Sequence, residues 1–168
     1  MDHIWTCRCC GKQFSSLPLS FASAAPDPWF AIPEAERAKR ALLGSDQCVI
    51  DDSQFFIRGC LEIPILGRSE AFSWGVWVSL SEVNFERVGD LWNTDVRENE
   101  PPFFGWLCTE LSVYPQSFGL KTKIHLRNSG QRPCIKLEPT AHPLAEEQRT
   151  GITLQRVEEI ATALLPRH

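Results

Sequence analysis

Phe55-Phe56-Ile57-Arg58-Gly59-Cys60-Leu61-Glu62-Ile63-Pro64-Ile65 is the stretch on which the reading of this chain turns. Its odd positions, Phe55, Ile57, Leu61, Ile63 and Ile65, are apolar apart from Gly59, while Arg58, Cys60 and Glu62 take even ones. A period of two belongs to a half-buried strand, because successive side chains point to opposite faces. Phe72-Ser73-Trp74-Gly75-Val76-Trp77-Val78-Ser79-Leu80 repeats the pattern, with Ser73, Gly75, Trp77 and Ser79 on its second face. Leu66-Gly67-Arg68-Ser69-Glu70 supplies the connection. Residues 54–80 therefore predict a two-stranded antiparallel ribbon that everything else extends or covers.

Outward from this ribbon, Cys48-Val49-Ile50-Asp51 reads as a short strand and Pro33 to Leu43 as a helix ended by Gly44. Ser81 caps a helix running to about Trp92, with Phe85, Val88, Leu91 and Trp92 at helical spacing. Strands follow over Phe103–Leu111, Leu120–Arg127 and Cys134–Glu138, the last two joined by Asn128-Ser129-Gly130-Gln131. Pro139 to Gly151 reads as a loop, and Leu154, Val157, Ile160, Ala161 and Leu164 stripe a final helix capped at Thr153. Strands without regular βαβ alternation predict an α+β fold, an antiparallel sheet packed by a few helices. Ser15 to Pro33 is rich in Pro, Ser and Ala yet carries Leu17, Leu19, Phe21, Trp29 and Phe30. It reads as a wrapping segment, since flexible linkers lack such aromatics. One domain over 1–168 is expected: a knuckle in 1–14, the wrapping segment in 15–33 and the core in 34–168.

The chain has 168 residues and a formal net charge of −4. That balance excludes a general nucleic-acid binder, which needs a basic face to neutralise phosphates. No apolar run approaches the roughly 20 residues of a membrane span, and Met1-Asp2-His3-Ile4-Trp5 lacks the basic start and apolar core of a signal peptide. Seven cysteines, an odd number, fit a reduced cytoplasmic compartment better than a disulfide framework.

Three of them crowd into Cys7-Arg8-Cys9-Cys10-Gly11-Lys12. A Cys-x-x-Cys-Gly turn lets Cys7 and Cys10 converge on one ion, with glycine easing the curl. This is half of a structural zinc site; Cys48, Cys60 or His3 are the candidates for the remaining ligands. Free thiols without metal, or a reactive thiol, are the competing readings, and no neighbouring base marks a nucleophile.

Two further groups carry chemistry. Arg58 and Glu62 share a strand face with Trp77 on the neighbouring strand, a set able to bind a ligand, or else a charged pair flanking a covered face with Trp77 buried. Glu138-Pro139-Thr140-Ala141-His142-Pro143-Leu144 places a carboxylate and an imidazole in one proline-fixed loop. They suit an acid–base or metal pair, or His142 anchors the loop by a hydrogen bond. No Ser-His-Asp signature, Gly-rich phosphate loop or His-Glu-x-x-His motif is present.

Several strings taken in order resemble a bacterial family designated domain of unknown function 2199. They are Cys7-x-x-Cys10-Gly11-Lys12, Leu17-Pro18-Leu19-Ser20-Phe21, Cys48-Val49-Ile50-Asp51, Phe55-Phe56-Ile57-Arg58-Gly59, Trp74 to Ser81, Phe104-Gly105-Trp106-Leu107 and Leu137 to Leu144. The resemblance spans nearly the whole chain and implies a small single-domain protein with no established activity. The family pattern carries His where this chain has Phe14, so Cys7 and Cys10 must find partners elsewhere. Two functions are therefore expected to compete. One is a non-enzymatic, protein-binding module with a structural zinc, its mark an exposed cluster of Trp and Phe. The other is a small-molecule binder or enzyme around Glu138, His142, Arg58 and Glu62, its mark the convergence of those side chains in one cleft.

Overall fold

In the computed structural model, residues 5–6, 13–14, 16–95 and 97–165 are described. Strands β1 (Trp5–Thr6) and β2 (Gln13–Phe14) pair antiparallel, Trp5 opposite Phe14 and Thr6 opposite Gln13. The segment between them, 7–12, lies outside the described residues.

Strands β3 (Ser20–Ala22), β4 (Ala41–Leu43), β5 (Gln47–Ile50), β6 (Gln54–Pro64), β7 (Ala71–Leu80), β8 (Phe103–Leu107), β9 (Lys121–His125) and β10 (Cys134–Leu137) form one sheet in the order β3-β7-β8-β9-β10-β6-β5-β4. The long strands β6 and β7 pair antiparallel from Phe55↔Leu80 to Pro64↔Ala71. Because β6 also pairs with β10, the strands β6-β7-β8-β9-β10 close on themselves. The α+β class holds, but the antiparallel sheet expected around the ribbon closes into a five-stranded barrel with flaps. One barrel pairing, β10–β6, is parallel, as is the pairing of the flanking strand β3 with β7. A period of two says which face a side chain takes and nothing of which edges meet.

The barrel is filled as the alternation requires. Ile57, Leu61 and Ile63 of β6 and Phe72, Trp74, Val76 and Val78 of β7 are buried together. Each side chain so buried contributes roughly 1.5–3 kcal/mol. Helices α3 (Glu82–Leu91), α4 (Pro143–Thr150) and α5 (Leu154–Leu164) add Val88, Leu144, Ala145, Val157, Ile160 and Ala161 to the same cluster. Ser81 caps α3 by accepting the Asn84 N–H at 3.1 Å, and Thr153 caps α5 by accepting that of Arg156. A second, smaller core lies on the outer face of the ribbon, where Phe56 and Trp77 meet Ile32, Cys48, Ile50 and Cys108. Residues 16–33 build this layer with β3 and the short helix α1 (Asp27–Phe30), and Trp29 packs against it.

Glycines permit the closest approaches. A Cβ at Gly75 would stand 2.6 Å from the Ala22 Cβ of β3, and one at Gly59 2.6 Å from the Ile135 side chain of β10.

Two elements differ from expectation. The helix expected over Pro33–Leu43 is a 3-10 turn at Glu34–Glu36 and a single turn α2 (Arg37–Arg40), after which Ala41–Leu43 is strand β4. Its backbone joins the sheet edge at β5, and Arg40 clamps both oxygens of Asp51 at 2.9 Å. The expected loop 139–151 contains α4. Pro143 occupies its first turn, where the missing N–H costs nothing.

The closing seam is thin. Strands β6 and β10 share one register pair, Cys60 opposite Cys134. Beyond it the Gln148 side chain of α4 bridges the gap: its Oε1 accepts the Leu137 N–H at 2.8 Å, while Nε2 donates to Ile135 O at 2.9 Å and to Glu62 O at 3.4 Å.

Candidate functional site

The residues singled out in the sequence do not share a cleft. Arg58 and Trp77 are register partners, but Trp77 is fully buried in the second core with its indole N–H donating to Ser23 O at 2.9 Å. Residues 16–33 cover this face, and of the two readings open for Trp77 the structure has the one in which the ring is buried. Arg58 stands 5.9 Å from the ring centroid and donates to Ser45 O. Glu62 is ion-paired with Arg127 at 2.9 Å.

His142 caps α4. Its Nδ1 accepts the Leu144 N–H at 3.1 Å, and Nε2 lies 3.2 Å from Pro115 O and 3.0 Å from Gln116 O. Those partners assign the proton to Nε2. Both ring nitrogens are thus engaged in holding the 115–116 loop to the helix. Among the described residues no bond joins His142 to Glu138, whose backbone N–H donates to Lys121 O at 3.0 Å.

Of the metal candidates, His3, Cys7 and Cys10 lie outside the described residues. Cys48 is fully buried among apolar neighbours, and burial pushes its thiol up to about 11. That is the setting of a packing residue. Cys60 sits four positions farther along β6 than Phe56, the partner of Cys48. Among the described residues no group of three or more His, Cys, Asp or Glu side chains is placed to hold a metal, and no helix is long and apolar enough to cross a membrane.

What the structure does assemble is an aromatic face on the outside of the barrel. Strand β8 alternates buried and exposed, so Phe103, Gly105 and Leu107 turn inward while Phe104 and Trp106 turn out. Phe104 is 42 % exposed and Trp106 45 %, packed edge to face at 5.1 Å. Phe118, from the loop before β9, is 39 % exposed. Trp106 and Phe118 border a groove of about 440 Å³ whose other walls include Pro28, Phe55, Leu80 and Cys108.

The rim of this face is basic. On β9, Lys121 lies opposite Trp106 and Lys123 opposite Phe104, with the Lys121 ammonium 5.9 Å from the Trp106 ring centroid. Lys136 of β10 lies opposite Lys123. His125 stands beside them, its imidazole held below its usual range by burial and by the charges of Lys136 and Lys123. Alternation could not single out Phe104 and Trp106, because both faces of Phe103-Phe104-Gly105-Trp106-Leu107 are apolar.

Neither a curated protein nor a solved structure matches the chain. Residues 6–152 match a family described as an uncharacterized protein conserved in bacteria. That match takes in the barrel, the second core and the aromatic face, and the chain belongs to this bacterial family, DUF2199.

Proposed function

We propose that this protein is a non-enzymatic binding module whose β8 face docks an acidic partner protein. The observation that carries this reading is the cluster of Phe104, Trp106 and Phe118 beside an apolar groove of about 440 Å³. Exposed aromatics gathered at one place mark interaction sites, and Trp is the residue most often found at their energetic centre. Lys121 and Lys123 on the rim select for a partner that carries carboxylates around the apolar side chains it inserts. The chain is acidic overall, with a net charge of −4, so this face is a local exception that orients the encounter. The dispersal of Arg58, Glu62, Glu138 and His142 speaks against the competing enzyme reading, since acid–base work requires groups within reach of one substrate.

Capture from a bacterial lysate by the full chain, beside its Trp106→Ala and Lys121→Glu variants, identifies the partner as the protein that the wild type alone retains. With that protein purified, Trp106→Ala is expected to weaken binding by about 2 kcal/mol or more while leaving the melting temperature unchanged. Lys121→Glu is expected to slow association at low salt. Equal binding by all three would overturn the reading. Dimerisation seen by sedimentation and abolished by Trp106→Ala would also overturn it, by making a second copy the occupant.

A structural zinc at Cys7 and Cys10 belongs to the same proposal. The β1–β2 pairing supports it by holding Thr6 and Gln13, on either side of the cysteine segment, opposite each other. Elemental mass spectrometry is expected to find about one zinc per chain, lost in Cys10→Ser together with thermal stability. A metal-free wild type sinks this part alone.

A further inference from the structure

The barrel seam opens onto a second pocket. Where β6 and β10 part beyond Cys60 and Cys134, a cavity of about 450 Å³ lies over the split. That is within the range of roughly 300–1,000 Å³ typical of small-molecule sites, which favour the mouths of barrels. Pro64, Ala71 and Leu137 give it an apolar floor, and β10, α4 and the β6–β7 turn contribute Lys136, Arg149 and Arg68.

The charges do not cancel. Arg68 is paired with Glu70 at 2.7 Å, and Glu62 with Arg127 at 2.9 Å. Lys136 and Arg149 line the same pocket and enter no ion pair among the described residues. Arg149 donates from Nη1 to Thr140 O at 3.1 Å, which leaves the rest of its fork available. The seam's own backbone groups, Leu137 N–H and Ile135 O, are already taken by Gln148. The donors left to a ligand are thus two cations and the Ser69 hydroxyl, around an apolar floor.

We infer that this seam pocket binds a small organic molecule bearing clustered anionic oxygens, held by Lys136 and Arg149. Cationic donors recognise phosphate and carboxylate oxygens through charge-assisted hydrogen bonds, and Lys136 and Arg149 both line this one pocket. The floor accepts the carbon skeleton. The pocket shares no lining residue with the groove at Trp106 and Phe118; Lys136 also stands on the rim of the β8 face, opposite Lys123, so Trp106→Ala is the change that tells the two sites apart.

The test titrates the full chain with inorganic pyrophosphate in one arm and citrate in the other, at low ionic strength, following heat and melting temperature. At least one of them is expected to bind and raise the melting temperature by mass action. Response to pyrophosphate alone assigns a phosphorylated ligand, and response to citrate alone a carboxylated one. Lys136→Gln combined with Arg149→Gln is expected to weaken that affinity by about tenfold or more, and Trp106→Ala to leave it unchanged. Should the double variant fold poorly, the exposed single change Lys136→Gln is expected to lower affinity, with Lys136→Arg restoring it. No binding of either anion by the wild type at millimolar concentration overturns the inference, as does equal affinity in the lysine and arginine variants.

Discussion

Arg97 is 3 % exposed and enters no ion pair among the described residues. Its guanidinium instead donates to the carbonyls of Trp92, Arg127, Asn128 and Gln131, and it stands 5.2 Å from the Trp92 ring centroid. One planar cation thereby ties the end of α3 to the β9–β10 turn, two segments far apart in sequence. Arg97→Met removes all those donors at once and is expected to cost about 3–5 kcal/mol in urea unfolding. Arg97→Lys is expected to recover little, because an ammonium cannot serve four carbonyls in the plane of a fork. Stability within 1 kcal/mol of wild type, on the order of one ordinary hydrogen bond, would show that the cage is replaceable. Nothing in the polar stretch 93–102 distinguishes Arg97 from a solvated arginine; its role is set by partners that the linear pattern does not bring near it. His142 is the opposite case. A loop anchor is one of the two readings open to it in the sequence, beside an acid–base or metal pair with Glu138, and its hydrogen bonds have the anchor's geometry.

Among the elements, strands β6 and β7 were legible because the hydrophobic period persists through each, and α3 and α5 because cap and stripe agree. Closure was not legible. The edge that β10 joins is decided by Gly59, where a side chain would strike Ile135, and by a glutamine on a helix that follows. Helix α4 was hidden because Pro143 and the polar residues around it signal a loop as strongly as a helix start. The candidate site was legible only in part: its residues were named within a strand, while their exposure depended on which face the barrel turned outward. At this scale Gln148→Leu is the informative change. It strips partners from Leu137 N–H, Ile135 O and Glu62 O, and is expected to cost about 2 kcal/mol or more in chemical denaturation. It is also expected to speed hydrogen exchange at the Leu137 amide ahead of the β6–β7 ladder. Unchanged exchange there would mean that water satisfies the seam as well as the amide does.

For the whole molecule, titrating groups set both limbs of the pH–stability curve. Burial pushes the Cys48 thiol up to about 11, and pushes Cys108 and Cys134 in the same direction. An unfolded cysteine loses its proton near pH 8.5, about the ordinary value, while the folded thiols keep theirs. The unfolded chain then binds fewer protons, so stability falls as pH rises through that interval. On the acid side, burial tends to raise Asp46 and Glu110, but hydrogen bonds from Arg132 to Asp46 and from the Ser117 and Phe118 amides to Glu110 outweigh it. Their contributions are present above the ordinary carboxylate range and lost as pH falls through the lowered values. Asp27, raised by burial, opposes this limb weakly. Urea midpoints are therefore expected to be flat near neutrality and to fall toward pH 10. Cys48→Ala is expected to reduce that alkaline slope; an unaltered slope would assign the limb to other groups.

The thin seam also bears on how the chain reaches this shape. The β6–β7 hairpin joins neighbours in sequence and can form early, as can the β8–β9 and β9–β10 pairings. Cys60 must wait for Cys134, more than half a barrel's chain away, and the glutamine that completes the join arrives later still, on α4. Loop closure of that length is entropically slow and is rewarded only at the end. A nascent chain released before β10 and α4 have emerged would hold an unclosed sheet, its β6 edge covered only over Gln54–Ile57, where β5 pairs with it. The helix that looks like an accessory in the finished protein is, during synthesis, the latch that ends its exposure to aggregation.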